Sequence, residues 1–244
     1  MNRDKKGRER GGVGVTRLYG FHAVLAALNA PRRRLVRLYA TSAAAERLQG
    51  EIARRGVETR VVSAEEIAAR LPREAVHQGL LLEAEPLESL DLSELPDRGL
   101  VVVLDQITDP HNVGAILRTC AAFAVDALLT TERHSPEFSG LLAKAASGGL
   151  EHVPIATVGN LARALDELGD QGFWRVGLDS EAPVVFGAEP LTRPLALVLG
   201  AEDKGLRRLT REKCDVLARL DLPGAVKSLN VSNACAIALA LASR

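Results

Sequence analysis

Three cysteines, one methionine and one tryptophan stand among 244 residues, and basic and acidic side chains balance at 31 each. Cys120, Cys214 and Cys235 lie far apart in the chain. They make no metal-ligand spacing, and an odd number argues against a disulfide framework. Each sits in an apolar stretch, so buried thiols in a reducing cytoplasm are expected. A formal net charge of zero removes whole-protein charge as evidence for a nucleic-acid partner, so such a case has to rest on local patches. Long apolar runs are missing too. Ala234 to Ala242 is too short to span a bilayer. The charged N-terminus has no apolar core behind it and does not read as a secretory signal. There is no Walker Gly-Lys-Ser/Thr, no G-x-G-x-x-G after a strand and no G-x-S-x-G elbow. The histidines His22, His77, His111, His134 and His152 form no ligand cluster.

What is present is an ordinary globular composition, 47% hydrophobic and 25% charged, long enough for one large or two modest domains. Residues 1–17 are basic, glycine-containing and aperiodic. They read as a solvated, disordered tail that can also serve as a basic arm. Residues 18–84 then read as a small α/β unit. Helix is expected over Phe21–Leu28, Ala43–Arg55 (closing at Gly56) and Ala64–Leu71, the last opened by a Ser63/Glu66 capping box. Strands are expected over Leu35–Tyr39, Thr59–Val62 and Gly79–Glu83. The run Arg32-Arg33-Arg34 is the strongest basic cluster of the ordered chain and a candidate phosphate contact. Residues 85–98, acidic and bounded by Pro86 and Pro96, read as an interdomain linker that few contacts cross.

From residue 99 onward the pattern is regular α/β. Strands are expected at Leu100–Leu104, Ala127–Thr130, His152–Ile155, Trp174–Leu178, Leu195–Leu199 and Val216–Leu220. Helices are expected around Val113–Phe123, Ser139–Ala146, Asn160–Leu168, Leu206–Glu212 and Ser228–Ala242. Near-continuous apolar strands alternating with helices argue for a buried, mostly parallel sheet.

Three strand-to-helix loops carry polar groups that a plain connector does not need. After Leu100–Leu104 comes DQITDPHNVGAILRTC (Asp105–Cys120). Asn112 reads as a helix N-cap, Gly114 as a point of close backbone approach, and Arg118 as a guanidinium on the same helix. Such a helix start favours a phosphate, which an arginine can grip in bidentate fashion. After Leu195–Leu199 come Gly200 and Glu202. After Val216–Leu220 come Pro223-Gly224, Ser228 and Asn230. Ligands of open α/β sheets sit at such strand ends. Taken one at a time, each loop is equally well a capped turn.

Taken together they resemble a family. Asn112-x-Gly114-x-x-x-Arg118-Thr119, Leu199-Gly200-x-Glu202-x-x-Gly205-Leu206 and Leu222-Pro223-x-x-x-x-Ser228-Leu229-Asn230-Val231-Ser232 look like the three motifs of the SpoU branch of SPOUT methyltransferases. Tyr19-Gly20-Phe21-His22-Ala23-Val24, His77-Gln78-Gly79 and Lys144–Pro154 (KAASGGLEHVP) resemble the subgroup that methylates guanosine 2′-hydroxyls of bacterial 23S rRNA. Gly224 and Lys227 depart from the usual third motif, away from the reacting positions.

The resemblance implies a C-terminal trefoil-knotted domain with a mostly parallel sheet, plus a small N-terminal RNA-binding domain. It implies methyl transfer from S-adenosyl-L-methionine to a ribose 2′-hydroxyl of RNA, with 23S rRNA the first candidate. A tRNA or resistance-type rRNA enzyme, or a silent RNA-binding assembly factor, stands as the alternative. The cofactor would be held largely by backbone groups of Gly200, Leu220 and Leu229. Asn112, Glu202, Ser228 and Asn230 would position the ribose and Arg118, which acts as base or as phosphate clamp. No metal is required. A homodimer is implied, with the last helix as its interface and each site built from both chains.

Overall fold

The computed structural model describes residues 14–188 and 190–243. The expected basic tail lies mostly outside these residues. Its end does not: strand β1 (Thr16–Tyr19) starts within it, because Leu18 and Tyr19 are buried and the strand pairs antiparallel with a later one.

The N-terminal unit continues with α1 (Phe21–Asn29), β2 (Leu35–Ala40), α2 (Ser42–Arg47), α3 (Gln49–Arg55), β3 (Thr59–Val61), α4 (Ala64–Ala68) and β4 (Leu80–Ala84). Its sheet has the order β1-β4-β2-β3, with β4 antiparallel to both neighbours and β2 parallel to β3. The single helix expected over Ala43–Arg55 is broken at Leu48, which leaves helical geometry (φ −112, ψ 15) while its side chain is fully buried. Gly56 closes α3 in the left-handed region, as its lack of a Cβ allows. The Ser63/Glu66 capping box forms in both directions.

The second sheet is built from β5 (Leu100–Asp105), α5 (Pro110–Ala122), β6 (Ala127–Thr131), α6 (Gly140–Ala145), β7 (Ile155–Val158), α7 (Leu161–Asp170), β8 (Trp174–Leu178), β9 (Val184–Val185), β10 (Leu195–Gly200), α8 (Arg208–Lys213), β11 (Val216–Arg219) and α9 (Val231–Ala242). All its pairings are parallel, in the order β7-β6-β5-β10-β8-β11-β9. Leu100 to Leu104 are wholly buried and Leu195 to Leu199 nearly so, as strands covered on both faces must be. From β5 the early strands run outward one way and the later strands the other. The loops after β5 and β10 therefore diverge side by side, where α/β sheets place their ligands.

Two boundaries move for local reasons. The strand expected at His152 begins at Ile155, because residues 149–151 form a 3-10 turn. The last helix begins at Val231, not Ser228, because Asn230 caps it by accepting from the Ser232 amide at 2.9 Å.

The expectation that few contacts cross the linker is corrected. Residues 85–98 lie along the second sheet. The Leu90 amide donates to the Ile155 carbonyl and the Thr157 amide to Ser89 Oγ, while Leu92 is buried. The two sheets share one hydrophobic cluster that runs from Leu18, Val24 and Leu82 to Leu104, Leu117 and Leu142. α6 packs on β1 so closely that a Cβ at Gly140 would stand 2.4 Å from the Arg17 carbonyl oxygen. Among the described residues, no helix is long and apolar enough to cross a membrane.

Candidate active site

The polar residues of the three loops converge. Asn112 Nδ2 donates to Glu202 Oε1 at 2.9 Å, and Asn230 Nδ2 donates to both Glu202 Oε1 (2.5 Å) and Asn112 Oδ1 (2.9 Å). The Val231 amide also points at Glu202 Oε1, at 3.3 Å. Glu202 thus supplies a negative charge to the start of α9, where the free amides and helix dipole favour it. These residues come from loops 28 to 118 positions apart. Mutual hydrogen bonding fixes all three side chains.

Asn112 reaches this network from inside its helix and not from the cap. The cap is Asp109, whose side chain accepts from the His111 amide at 2.9 Å, and Pro110 occupies the first turn. Asn112 is free for Glu202 because another residue satisfies the helix end. Gly114 does permit close approach, but to protein: a Cβ there would stand 2.4 Å from Ala145 Cβ on α6.

Beside the network lies a cleft of about 340 Å³ at the carboxyl ends of β8, β10 and β11. Gly200, Leu220 and Leu229 all line it, with Glu202 and Ser228 at its rim. Its walls are Leu178, Leu199, Leu220, Leu222 and Leu229. The loops around it, residues 201–207 and 220–230, are almost free of regular structure, so most of their amides and carbonyls make no strand or helix bonds. Lys227 Nζ ties the second loop by donating to the Leu222 carbonyl at 2.7 Å. An apolar cleft ringed with backbone donors and acceptors suits an adenosine held by its edges. Gly200 is essential to the loop itself, since a Cβ there would stand 2.3 Å from Gly205 C and 2.4 Å from the Leu206 amide nitrogen.

Arg118 stands apart from the network. It is six residues beyond Asn112 on α5, about 9 Å along the axis and a third of a turn around it. Its side chain is exposed, and among the described residues no carboxylate reaches it. Ser228 is exposed on the cleft rim without joining the Asn112–Glu202–Asn230 bonds.

The arginine run behaves differently from the expectation. Arg33 is not available to a phosphate: it is 3% exposed and forks onto Glu151. Arg34 is exposed but lies 3.7 Å from Glu85. Arg32 alone is exposed without a carboxylate partner among the described residues.

Two ion pairs that frame the site escaped the sequence reading. Asp105, fully buried at the end of β5, accepts from the Arg207 amide (2.8 Å) and Nε (2.6 Å), pinning the loop after β10 to the neighbouring strand. Asp179, on the cleft wall, is held by Arg211. The signal for Asp105 was an acid closing an otherwise wholly apolar strand. Cys214, which packs near β8, has its thiol pushed up to about 12 by burial. Cys120 and Cys235, far apart in sequence, meet between α5 and α9. There the hydrogen bond between them, reinforced by burial, holds the Cys120 thiol well above its usual range.

The profile of the SpoU rRNA Methylase family matches residues 99–240, and that of the RNA 2′-O ribose methyltransferase substrate-binding domain matches residues 17–90. The chain is 38% identical over 234 residues to the 23S rRNA (guanosine-2′-O-)-methyltransferase RlmB of Pseudomonas putida, covering 92% of this chain and 94% of that protein. It is 39% identical over 236 residues to the enzyme of the same name from Coxiella burnetii, with the same coverage. In three dimensions it resembles the SpoU methyltransferase AviRb of Streptomyces viridochromogenes, solved with the cofactor AdoMet. That likeness has a TM-score of 0.80 at 22% identity and covers 94% of this chain and 89% of the other.

Proposed function

Since the chain belongs to the SpoU rRNA methylase family, we propose that it methylates the ribose 2′-hydroxyl of a guanosine in 23S rRNA, with S-adenosylmethionine as methyl donor. The observation that carries this reading is the closed Asn112–Glu202–Asn230 network at the mouth of the leucine-walled cleft.

S-adenosylmethionine supplies an electrophilic methyl group when bound. Gly200, Leu220 and Leu229 are assigned to hold it, through backbone groups and apolar contact. The chain's own part is to orient and to handle a proton. The attacking ribose oxygen has to lie in line with the methyl group, and holding it there removes most of the entropic barrier. Asn112, Glu202, Asn230 and Ser228 are assigned to that positioning. The 2′-hydroxyl proton leaves as the new O–C bond forms. Arg118 either takes it, relayed by an RNA phosphate, or clamps that phosphate while the phosphate takes it. The high pKa of a guanidinium favours the clamp.

A homodimer belongs to this reading. α9 is apolar on nearly every side, and Ile237 is 40% exposed on it. A second copy covering that face would bury it, and could bring its own Arg118 to this chain's network. A substrate made and used in the cytoplasm places the enzyme there. The deciding experiment is incubation with labelled S-adenosylmethionine and an unmodified 23S rRNA transcript, followed by ribose-methylation mapping. One modified guanosine is the expected result. Label on the base, or none, would end the proposal.

A further inference from the structure

Three stretches distant in sequence meet at the seam between the two sheets, and none of them lines the cleft. The Phe21 amide donates to Gln78 Oε1 at 2.8 Å, so the turn before β4 caps the start of α1. Lys144 on α6 comes to the same point: a Cβ at Gly20 would stand 3.4 Å from Gln78 Oε1 and 3.8 Å from Lys144 Cγ. Just beyond, a Cβ at Gly148 would stand 2.9 Å from Ala26 Cβ on α1, and one at Gly149 2.9 Å from the Arg118 amide nitrogen. The turn after α6, whose Gly148 and Gly149 are buried, therefore packs between α1 and the α5 backbone at Arg118, and the exposed His22, Arg47 and Arg118 and the half-buried Lys144 flank this junction.

Its chemistry is flat and cationic. His22 is exposed, with its ring edge-on to Phe21 at 5.7 Å between centroids. The Arg47 guanidinium lies 4.2 Å above the centre of the Phe21 ring and keeps its outer face in solvent. Imidazole rings and guanidinium planes are what unstacked RNA bases lie on. Among the described residues, no carboxylate lies within ion-pair distance of Arg47, Lys144 or Arg118. Gln78 holds a left-handed backbone (φ 52), and among the described residues its side-chain NH2 meets no acceptor. The arginine run Arg32–Arg34 offers no such set, because Arg33 is buried and Arg34 faces Glu85.

We infer that this seam, and not the Arg32–Arg34 run, grips the RNA. It takes a single-stranded segment, with bases on His22 and the Arg47 plane and phosphates on Lys144 and Arg118. The inference rests on the reading of the chain as an RNA methyltransferase and names where its substrate lies. The surface spans both sheets, so the substrate is read at the junction that also positions Arg118.

The test compares two variants of the full chain, Arg47→Gln/Lys144→Gln and Arg32→Gln/Arg34→Gln. Each is titrated with an unmodified 23S rRNA transcript and with a 12-nucleotide polyuridine across a salt series. The seam variant should lose roughly tenfold or more in affinity, and its log–log salt slope should fall by about 0.7, the share of the one single-strand phosphate contact that Lys144 makes. His22→Ala should lose about tenfold with its slope unchanged, since stacking releases no counterion. The Arg32/Arg34 variant should change less than about threefold. Calorimetric S-adenosylmethionine binding confirms that each variant is folded, and Lys144→Glu alone repeats the test if the double variant is not. Wild-type affinity and slope in the seam variant would overturn the inference, whatever the Arg32/Arg34 variant does. A wild-type protein that methylates no rRNA would overturn the functional reading and not the seam.

Discussion

Arg33 and Glu151, 118 residues apart, close a fork across the seam between the two sheets, with Nη2 2.5 Å and Nε 2.9 Å from the carboxylate oxygens. Their side chains are 2% and 3% exposed. The Arg33 Nη1 donates to the Glu85 carbonyl at 3.0 Å, and the Arg33 carbonyl accepts from Arg55. An arginine placed where RNA contact was expected is therefore a structural bolt. A buried pair of this kind adds little against a well-packed apolar pair, but breaking it strands a charge. Arg33→Met should destabilise the protein by ~3–5 kcal/mol, and Arg33→Met/Glu151→Leu should recover most of that loss. Urea unfolding followed by circular dichroism measures both. Equal losses in the single and double variants would mean that the pair acts through something other than its charges.

Glu202 is the hub of the hydrogen-bonded network, accepting from Asn112, Asn230 and the Val231 amide. Glu202→Ala frees both asparagines and removes the anion from the start of α9. We expect methyl transfer to fall about 10²-fold, the size of effect that misplacing reacting groups produces. Single-turnover kinetics at saturating RNA gives the number. A near-normal rate would remove Glu202 from the positioning set.

Arg118 tests the two proton routes against each other. Arg118→Ala should abolish methyl transfer with S-adenosylmethionine affinity intact. Arg118→Lys keeps the charge and loses the fork. A clamp should then fail, whereas a base should survive in a residue that deprotonates more readily. Rates of both variants across pH 6 to 9, roughly the range where lysine begins to titrate when perturbed, separate the routes.

Gly200→Ala should weaken S-adenosylmethionine binding in a folded protein, because the new Cβ meets the Gly205–Leu206 backbone and pushes the loop out of place. The obstacle is protein, not ligand, so Ala should already be harmful and Val worse. Calorimetry on both variants checks the order. Undiminished affinity in Gly200→Val would put the cofactor elsewhere.

The thiols offer a check on packing. Burial pushes Cys214 up to about 12, and the Cys120–Cys235 hydrogen bond together with burial raises Cys120 further from reaction. At pH 8 almost no thiolate is present at these two positions. Since the thiolate is the nucleophile, an aromatic disulfide reagent should label neither Cys120 nor Cys214 in the native protein within minutes. All three cysteines should react in 6 M guanidinium, roughly a fully denaturing concentration for a domain of this kind. Fast labelling of Cys120 in the native protein would contradict its burial between α5 and α9.

Local features were legible in the sequence because their causes are local. The apolar runs became β5 and β10, the Ser63/Glu66 box formed, and Gly56 capped α3. The three polar loops were found for the same reason: polar residues at the ends of apolar strands need an explanation on any fold. Asn112 was misread because an asparagine before an apolar run looks like a cap. Asp109-Pro110, three positions earlier, satisfies that helix end first. The break at Leu48 is a tertiary decision, a core position overriding helix propensity.

What no stretch of sequence contains is which distant groups meet. Composition gives basic and acidic side chains in equal number, but only the packing of two sheets decides that Arg33 is spent on Glu151 while, among the described residues, Arg47, Lys144 and Arg118 meet no carboxylate. The same holds for Asn112, Glu202 and Asn230, which a linear reading gathered by resemblance and the fold joins through shared hydrogen bonds. The chain order carries the residue types and their local geometry. The side-by-side loops after β5 and β10, and the seam between the sheets, assign their partners, because hydrogen bonds and charge pairs act over a few ångströms of space and not along the chain.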